Sequence, residues 1–293
     1  MSLAIAIPAG VVSAVAYGVA TAVQHGAMQS DAAAHGGLRV LLRDARWWLS
    51  VGADTIGLGL QLLALATGPV VLVQPLFVLC LPVALPVRAR LVGGRVSRRE
   101  YRLSLLLGIG LAGFFVLAGS PGAGRELSTV AAGWIEAVAL VAGGLLLLAS
   151  RPLGPTRRAV TVSSVSGAWF GVEAVLVNAV ATAWRHAGLH AFERAAGLVP
   201  LAGLVVLGLG AFALTQVAFG LGSLGASFPA MLVTDPLVAV LLGALLLGEG
   251  IRSGPTAVVG YVAALAVVGF ATVRLASPLL APGNPVDAGV ARS

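Results

Sequence analysis

Long apolar runs recur along this chain, each about as long as a lipid bilayer is thick and each closed by a short polar gap. A hydrocarbon core of about 30 Å takes roughly 17 to 25 apolar residues per helix. That template fits at 3–24, 47–67, 69–87, 103–119, 130–149, 161–184, 199–220, 226–247 and 255–275. The pattern predicts an all-α integral membrane protein with about nine transmembrane helices. Pro69, Pro75, Pro82 and Pro86 in the third run, with Pro229 and Pro236 in the eighth, remove backbone donors. They predict kinked helices whose freed carbonyls face a cavity. The gap at 29–46 holds a DAAAH stretch predicted to form one interfacial turn, and the polar tail from Pro278 to Ser293 is expected to be disordered.

The pattern also returns on itself. VATAVQH at 19–25 matches VATAWRH at 180–186 at an offset of 161, and an offset of 154 pairs Pro75 with Pro229 and Pro82 with Pro236. The same offset brings the neighbourhood of Arg95 to Glu249. Spans one to four thus match spans six to nine, and a series of matches in order outweighs any one of them. The division this implies is a first four-helix repeat at 1–120, a linking helix with its loops at 121–160, a second repeat at 161–276 and a tail at 277–293. Four spans plus one linking span turn the second set over, so the expected arrangement is an inverted 4+1+4 repeat with a solute site near the midplane. Gly108, Gly110 and Gly113, echoed by Gly220, Gly222 and Gly225, suit close helix approach or bending.

Composition agrees with the pattern. Only 10% of residues are charged, against about a quarter in soluble domains, and mean hydropathy is +1.00. A soluble enzyme or binding module is excluded. The net charge of +7 would point to nucleic acid in a soluble domain. Here all the basic residues are arginines in the gaps between apolar runs, where they set orientation instead. Counting alternate gaps puts fourteen arginines on one side and four on the other, Arg125, Arg185, Arg194 and Arg252. The basic side is expected to be cytoplasmic, which places the N terminus outside and the C terminus inside. No basic stretch precedes the first run, so it reads as an uncleaved span of a bacterial plasma-membrane protein. Cys80, the single cysteine, excludes an intramolecular disulfide or a cysteine metal cluster.

Four acids fall within spans: Asp54, Glu136, Glu173 and Asp235. A charged aspartate at the middle of a membrane helix costs about 2.5 to 3.5 kcal/mol on insertion scales, so an intramembrane acid is a functional candidate. With no base at comparable depth, these acids are protonated, share protons with polar neighbours, or await a cation. Glu173 and Asp235 sit nearest the middle of their spans, and Glu173 is expected to look toward span one near Ser13 or Tyr17. Asp235 precedes Pro236, where freed carbonyls could join it around a cation. Asp54 and Gln61, seven residues apart, share a helix face. Gln74, Gln216 and Asn178 add amides that can coordinate a cation or bond a solute. His25 and His186 end spans one and six and suit a gate or interfacial anchor better than a metal. Glu249, beside two glycines at a span end, suits a cap or a pair there rather than substrate binding.

These residues also resemble a known family. DPLVAVLLGALLLGE at 235–249 is similar to the second-half signature of EamA-type transporters of the drug/metabolite transporter superfamily. Trp47, Trp48, Gly57, Pro69, Leu72, Val73, Pro75 and Leu76 fall without a gap into a pattern of NIPA-type magnesium transporters. The chain departs from that pattern at Leu58 and Gln61, where the family has glutamate and asparagine, and Asp54 is the acid one turn earlier. The resemblance implies alternating-access transport of a small molecule or cation, with magnesium as the alternative solute.

The residues and the resemblance together predict a proton- or potential-driven transporter of a small cationic or metabolite solute. A non-transporting membrane scaffold or accessory protein is the rival. An intramembrane enzyme is disfavoured, because no convergent nucleophile and base appears. No cofactor motif is present, nucleic acid is not an expected partner, and a homodimer in the lipid bilayer is compatible with the chain.

Overall fold

The computed structural model describes residues 2–28, 45–91, 96–118, 125–221, 224–249 and 254–276. Among these, every regular element is helical. In chain order they are α1 (Leu3–Met28), α2 (Ala45–Thr67), α3 (Val70–Leu76), α4 (Cys80–Leu91), α5 (Arg98–Ala118), α6 (Thr129–Ala149), α7 (Pro155–Ala187), α8 (Ala195–Leu221), α9 (Leu224–Leu245) and α10 (Pro255–Ala276). Seven described spans are long and apolar enough to cross a membrane: α1, α2, the α3–α4 run, α6, α7, α8 and α10. The protein is a multi-pass membrane protein. α5 and α9 contribute shorter apolar stretches, Tyr101–Phe114 and Ala230–Leu245. In α5 the run is shortened because the helix opens on Arg98, Arg99 and Arg102. The DAAAH stretch and the tail from Pro278 lie outside the described residues.

Local chemistry sets the helix ends. Gly68 N–H closes α2 on Ala64 O, and Pro69, extended at φ −70° and ψ 139°, starts α3 without a side-chain cap of its own. Pro75 has no N–H to give to Val71, and the chain tightens into a 3-10 turn at Phe77–Leu79 before α4. The expected break in the third run is therefore present. The eighth run differs, because α9 continues as one helix through Pro236. Ser128 caps α6 by accepting from Ala131 N–H at 3.2 Å. Gly154 and Pro155 start α7, whose 33 residues run on to Gly188 in the left-handed region at φ 55°. At about 1.5 Å per residue α7 is longer than the hydrocarbon core and must tilt or project from it.

α1 packs along α2 and against α4; α7 packs along α8 and α9; α5 pairs with α10. Close approach needs glycine at two of these contacts. A Cβ on Gly18 of α1 would strike Cys80 O and Val83, and one on Gly171 of α7 would strike Asp235 O and Val238. Small residues let backbones meet where apolar surface alone gives helices no reason to associate.

One end of the bundle is tied by several cross-links. Ser2 N–H donates to Thr67 O, Arg125 N–H donates to Leu247 O, the Arg185 guanidinium donates to Ala66 O at 2.7 Å, and His186 pairs with Glu126 at 3.3 Å. The helix ends that meet here alternate along the chain, as they must in a bundle whose spans run to and fro.

Candidate functional site

Between the α1–α4 group and the α7–α9 group lies a cavity of about 80 Å³. A buried water needs roughly 10 to 15 Å³ on this measure, so the space holds about five waters or one small solute. Asp54, Glu173 and Asp235 all line it, and no Arg, Lys or His does among the described residues. The rings of Tyr17, Phe77, Phe170 and Phe212 complete much of the wall, and Tyr17 meets Phe77 edge to face at 5.1 Å.

Two of the acids are held by amides. Gln24 of α1 donates to Asp54 Oδ2 at 2.6 Å. Gln61 donates to Gln74 Oε1 at 3.2 Å, and Gln74 donates to Asp235 Oδ1 at 3.0 Å. This relay joins α2, α3 and α9 through side chains that alone would be costly to bury. Asp235 is 1% exposed, deep in the wall. Glu173 is different. Its half-buried carboxyl has no hydrogen-bond or ion-pair partner among the described residues and rests over Gly208, whose Cβ would come 3.1 Å from Oε1. It is the carboxyl left open to whatever enters.

The cavity does not end alike at its two sides. Gln24 lies near the C-terminal end of α1 and Asp54 in the first half of α2, so that side points away from the cross-linked end of the bundle. Toward the cross-linked end the lining is Leu65 and Val177, 2% and 6% exposed. Above them sits Glu249, 1% exposed. Its Oε1 accepts Val70 N–H at 2.9 Å and its Oε2 accepts Val71 N–H at 2.8 Å. A carboxylate at a helix N-terminus satisfies donors that have no partner within the helix. Burial pushes this carboxyl above the ordinary range, against the two N–H bonds that hold it down. Gly248, at φ 59°, makes the turn that brings it there and lies against Arg125. Glu249 thus caps, the first of the two roles expected of it, but on a helix 179 residues away.

Comparison with known proteins adds a kinship. No family model and no solved structure matches the chain. Over 209 residues it is 33% identical to the uncharacterized protein Cgl0250/cg0304 of Corynebacterium glutamicum, a match spanning 69% of each chain. The chain belongs to that protein's family.

Asp54, Gln61, Gln74, Glu173, Gln216 and Asp235 all line the one cavity. Two other candidates do not. Asn178 is buried beside it, its amide reaching Leu65 O at 3.4 Å, because it lies about 140° around α7 from Glu173. Glu136 on α6 sits against Gly203 of α8, and its Oε1 is buried without a partner among the described residues. α6 packs on the far side of α7 and α8, which keeps it from the cavity. Of the span-one residues expected near Glu173, Tyr17 lines the cavity with it, whereas Ser13 donates to Gly57 O at 2.7 Å. His186 is exposed in its pair with Glu126, while the side chain of His25 lies outside the described residues. Gln24, Thr21 and Thr215 were not singled out as site residues, although a polar residue inside an apolar run is the signal that marks each of them.

Proposed function

We propose that the protein is a secondary transporter that moves a small organic cation across the bacterial plasma membrane by alternating access. The observation that carries this reading is the central cavity, in which three carboxyl side chains and four aromatic rings meet with no base among the described lining residues. A cation there offsets the cost of the acids and gains about 0.5 to 2 kcal/mol from each ring face it touches. Glu173 makes the direct contact, since its carboxyl is uncommitted. Asp54 and Asp235, steadied by Gln24 and Gln74, set the field. No three His, Cys, Asp or Glu side chains converge as a metal site among the described residues, which favours an ammonium ion over a bare divalent ion.

The inverted repeat, in nine spans with the N terminus outside, is the architecture that would let the cavity open alternately. Hydrogen bonds support it. Ser13 donates to Gly57 O on α2, and Ser166, 153 positions later, donates to Ala211 O on α8, 154 positions after Gly57. Gln61 and Thr215 stand beside these serines at the same offset of 154. Tyr17 and Phe170, Leu58 and Phe212, and Gln61 and Thr215 then face one another across the cavity as related pairs. This register for span one differs by eight residues from the VATA match, which aligns helix ends of unequal length. The acids depart from the symmetry: Gly208 stands at the position of Asp54, and Ala20 at that of Glu173. Each half keeps one acid at the same helix contact, supplied by opposite helices. The arginine count sets the cross-linked end outside and the Asp54 end inside. These features and the DPLVAVLLGALLLGE run support membership of the drug/metabolite transporter superfamily.

The test is uptake of labelled primary and quaternary amines, and of magnesium, into proteoliposomes under a pH gradient or potential. Saturable amine uptake, reduced at least tenfold by Glu173→Gln, is the expected result. Magnesium uptake that depends on Asp54 would replace the amine reading with the magnesium one. Absence of any flux with folded protein would leave a scaffold.

A further inference from the structure

A second hollow lies on the outer flank of the bundle, away from the central cavity. It is a groove of about 590 Å³ between α6, α7 and α9, walled by Val138, Ala142 and Leu146 of α6 and by Val165 of α7 and Val238 and Leu242 of α9. Trp169 forms its floor, with the indole N–H donating to Ala139 O at 2.9 Å and Gly143 lying flat over the ring. From Trp134 to Leu146 the lining covers twelve residues of rise. At about 1.5 Å each that is ~18 Å, a little more than the ~15 Å of one leaflet of a ~30 Å core. The groove has the length and polarity for an acyl chain.

Just beyond one end of this groove the chain is basic. The turn joining α6 to α7 carries Arg151, and the first turn of α7 carries Arg157 and Arg158. Arg151 and Arg157 are exposed, and none of the three has an acidic partner among the described residues. Arg157 stands one turn before Thr161, and Arg158 two turns before Val165, both groove residues on the same helix. Thr161 and Ser164 add hydroxyls to the lining at that end. The guanidinium Nε of Arg158 is buried and has no hydrogen-bond partner among the described residues. A buried, unpaired cationic donor is costly unless something anionic meets it.

We propose that this flank is a binding site for one anionic phospholipid, with an acyl chain in the groove and the phosphate held by Arg157 and Arg158, with Arg151 beside them. Basic side chains at the mouth of a cleft between membrane helices recognise phosphate head groups by charge-assisted hydrogen bonds that a zwitterionic lipid satisfies less well. Arg158 receives the acceptor it lacks, and the groove replaces disordered lipid with one seated chain. A second copy of the protein would be a poor occupant, because it would have to bring an acid to the same depth at the arginines.

The test uses the full-length protein, delipidated in a mild detergent and titrated by native mass spectrometry with phosphatidylglycerol and with phosphatidylcholine of the same chains. The expected result is retention of one phosphatidylglycerol with at least fivefold preference over phosphatidylcholine. Arg157→Gln with Arg158→Gln should abolish the preference, whereas Ala142→Phe, which fills the groove from an exposed position, should weaken both lipids. Should the double variant fail to fold, Arg151→Gln alone and a rise in salt should each reduce the preference. Equal retention of the two lipids by the wild type would overturn the proposal. So would a preference that survives loss of the arginines, or a dimer that forms through the groove and is broken by Ala142→Phe without change in lipid retention.

Discussion

Replacing Glu249 with alanine tests the closure of the cavity most directly. The carboxyl bridges two halves of the molecule, since it comes from the loop after α9 and caps the first turn of α3. Its removal leaves Val70 and Val71 N–H without acceptors in a place where both residues are 0% exposed. Each unsatisfied buried donor costs about 1 to 3 kcal/mol, and the two together about 2 to 6, trimmed by any water that reaches the turn. An opened end would hydrate both donors, so the cost falls on the closed form alone. A net 3 kcal/mol shifts the balance of closed and open forms by on the order of a hundredfold. Glu249→Gln keeps one acceptor oxygen and should shift it less. The assay places a single reporter at Val177→Cys, at the end of the cavity beneath Glu249, and measures labelling by an impermeant maleimide from the Glu249 side. Cys80 is 0% exposed and does not compete. Labelling should be slow in the parent and at least tenfold faster with Glu249→Ala. An unchanged rate in a protein with unchanged thermal stability would refute the idea that this cap holds the cavity shut.

Glu173→Gln and Asp235→Asn should each leave the protein folded and cut transport at least tenfold; full activity in both would remove the proposed site. Ser13→Ala and Ser166→Ala should cost about 1 kcal/mol each, the usual worth of one hydrogen bond, and a difference beyond about 2 kcal/mol in unfolding would argue against equivalent places in a repeat. Gly171→Val forces a side chain into Asp235 O and should destabilise by about 1 to 3 kcal/mol or more, whereas Gly144→Val meets only open space and should leave the melting temperature unchanged.

Much of the site was legible because polar residues are rare in these spans. Asp54, Gln61, Gln74, Glu173, Gln216 and Asp235 each interrupt an apolar run, and an interruption that costs free energy in lipid is placed where protein or solute can compensate it. Glu136 and Asn178 carry the same signal but do not line the cavity. An acid in a span shows that it needs shelter, but not which neighbour gives it: Glu136 finds Gly203, and Asn178 a backbone carbonyl. The polarity of Gln24 shows in its own run, but its partner does not, since Asp54 lies 30 residues away on another helix.

Membrane insertion, helical class and approximate span positions follow from the sequence by itself, because the bilayer imposes one length and one requirement for internal backbone bonding on every crossing. Those are local constraints, readable one window at a time. The tertiary structure alone decided that six interruptions line one cavity, that Glu249 closes α3 from the other end of the chain, and that α6 stands apart with a groove and three arginines beside it. Such pairings depend on how helices rotate and approach one another. That is settled by glycine contacts, buried hydrogen bonds and packing between distant residues, none of which any single stretch of the chain contains.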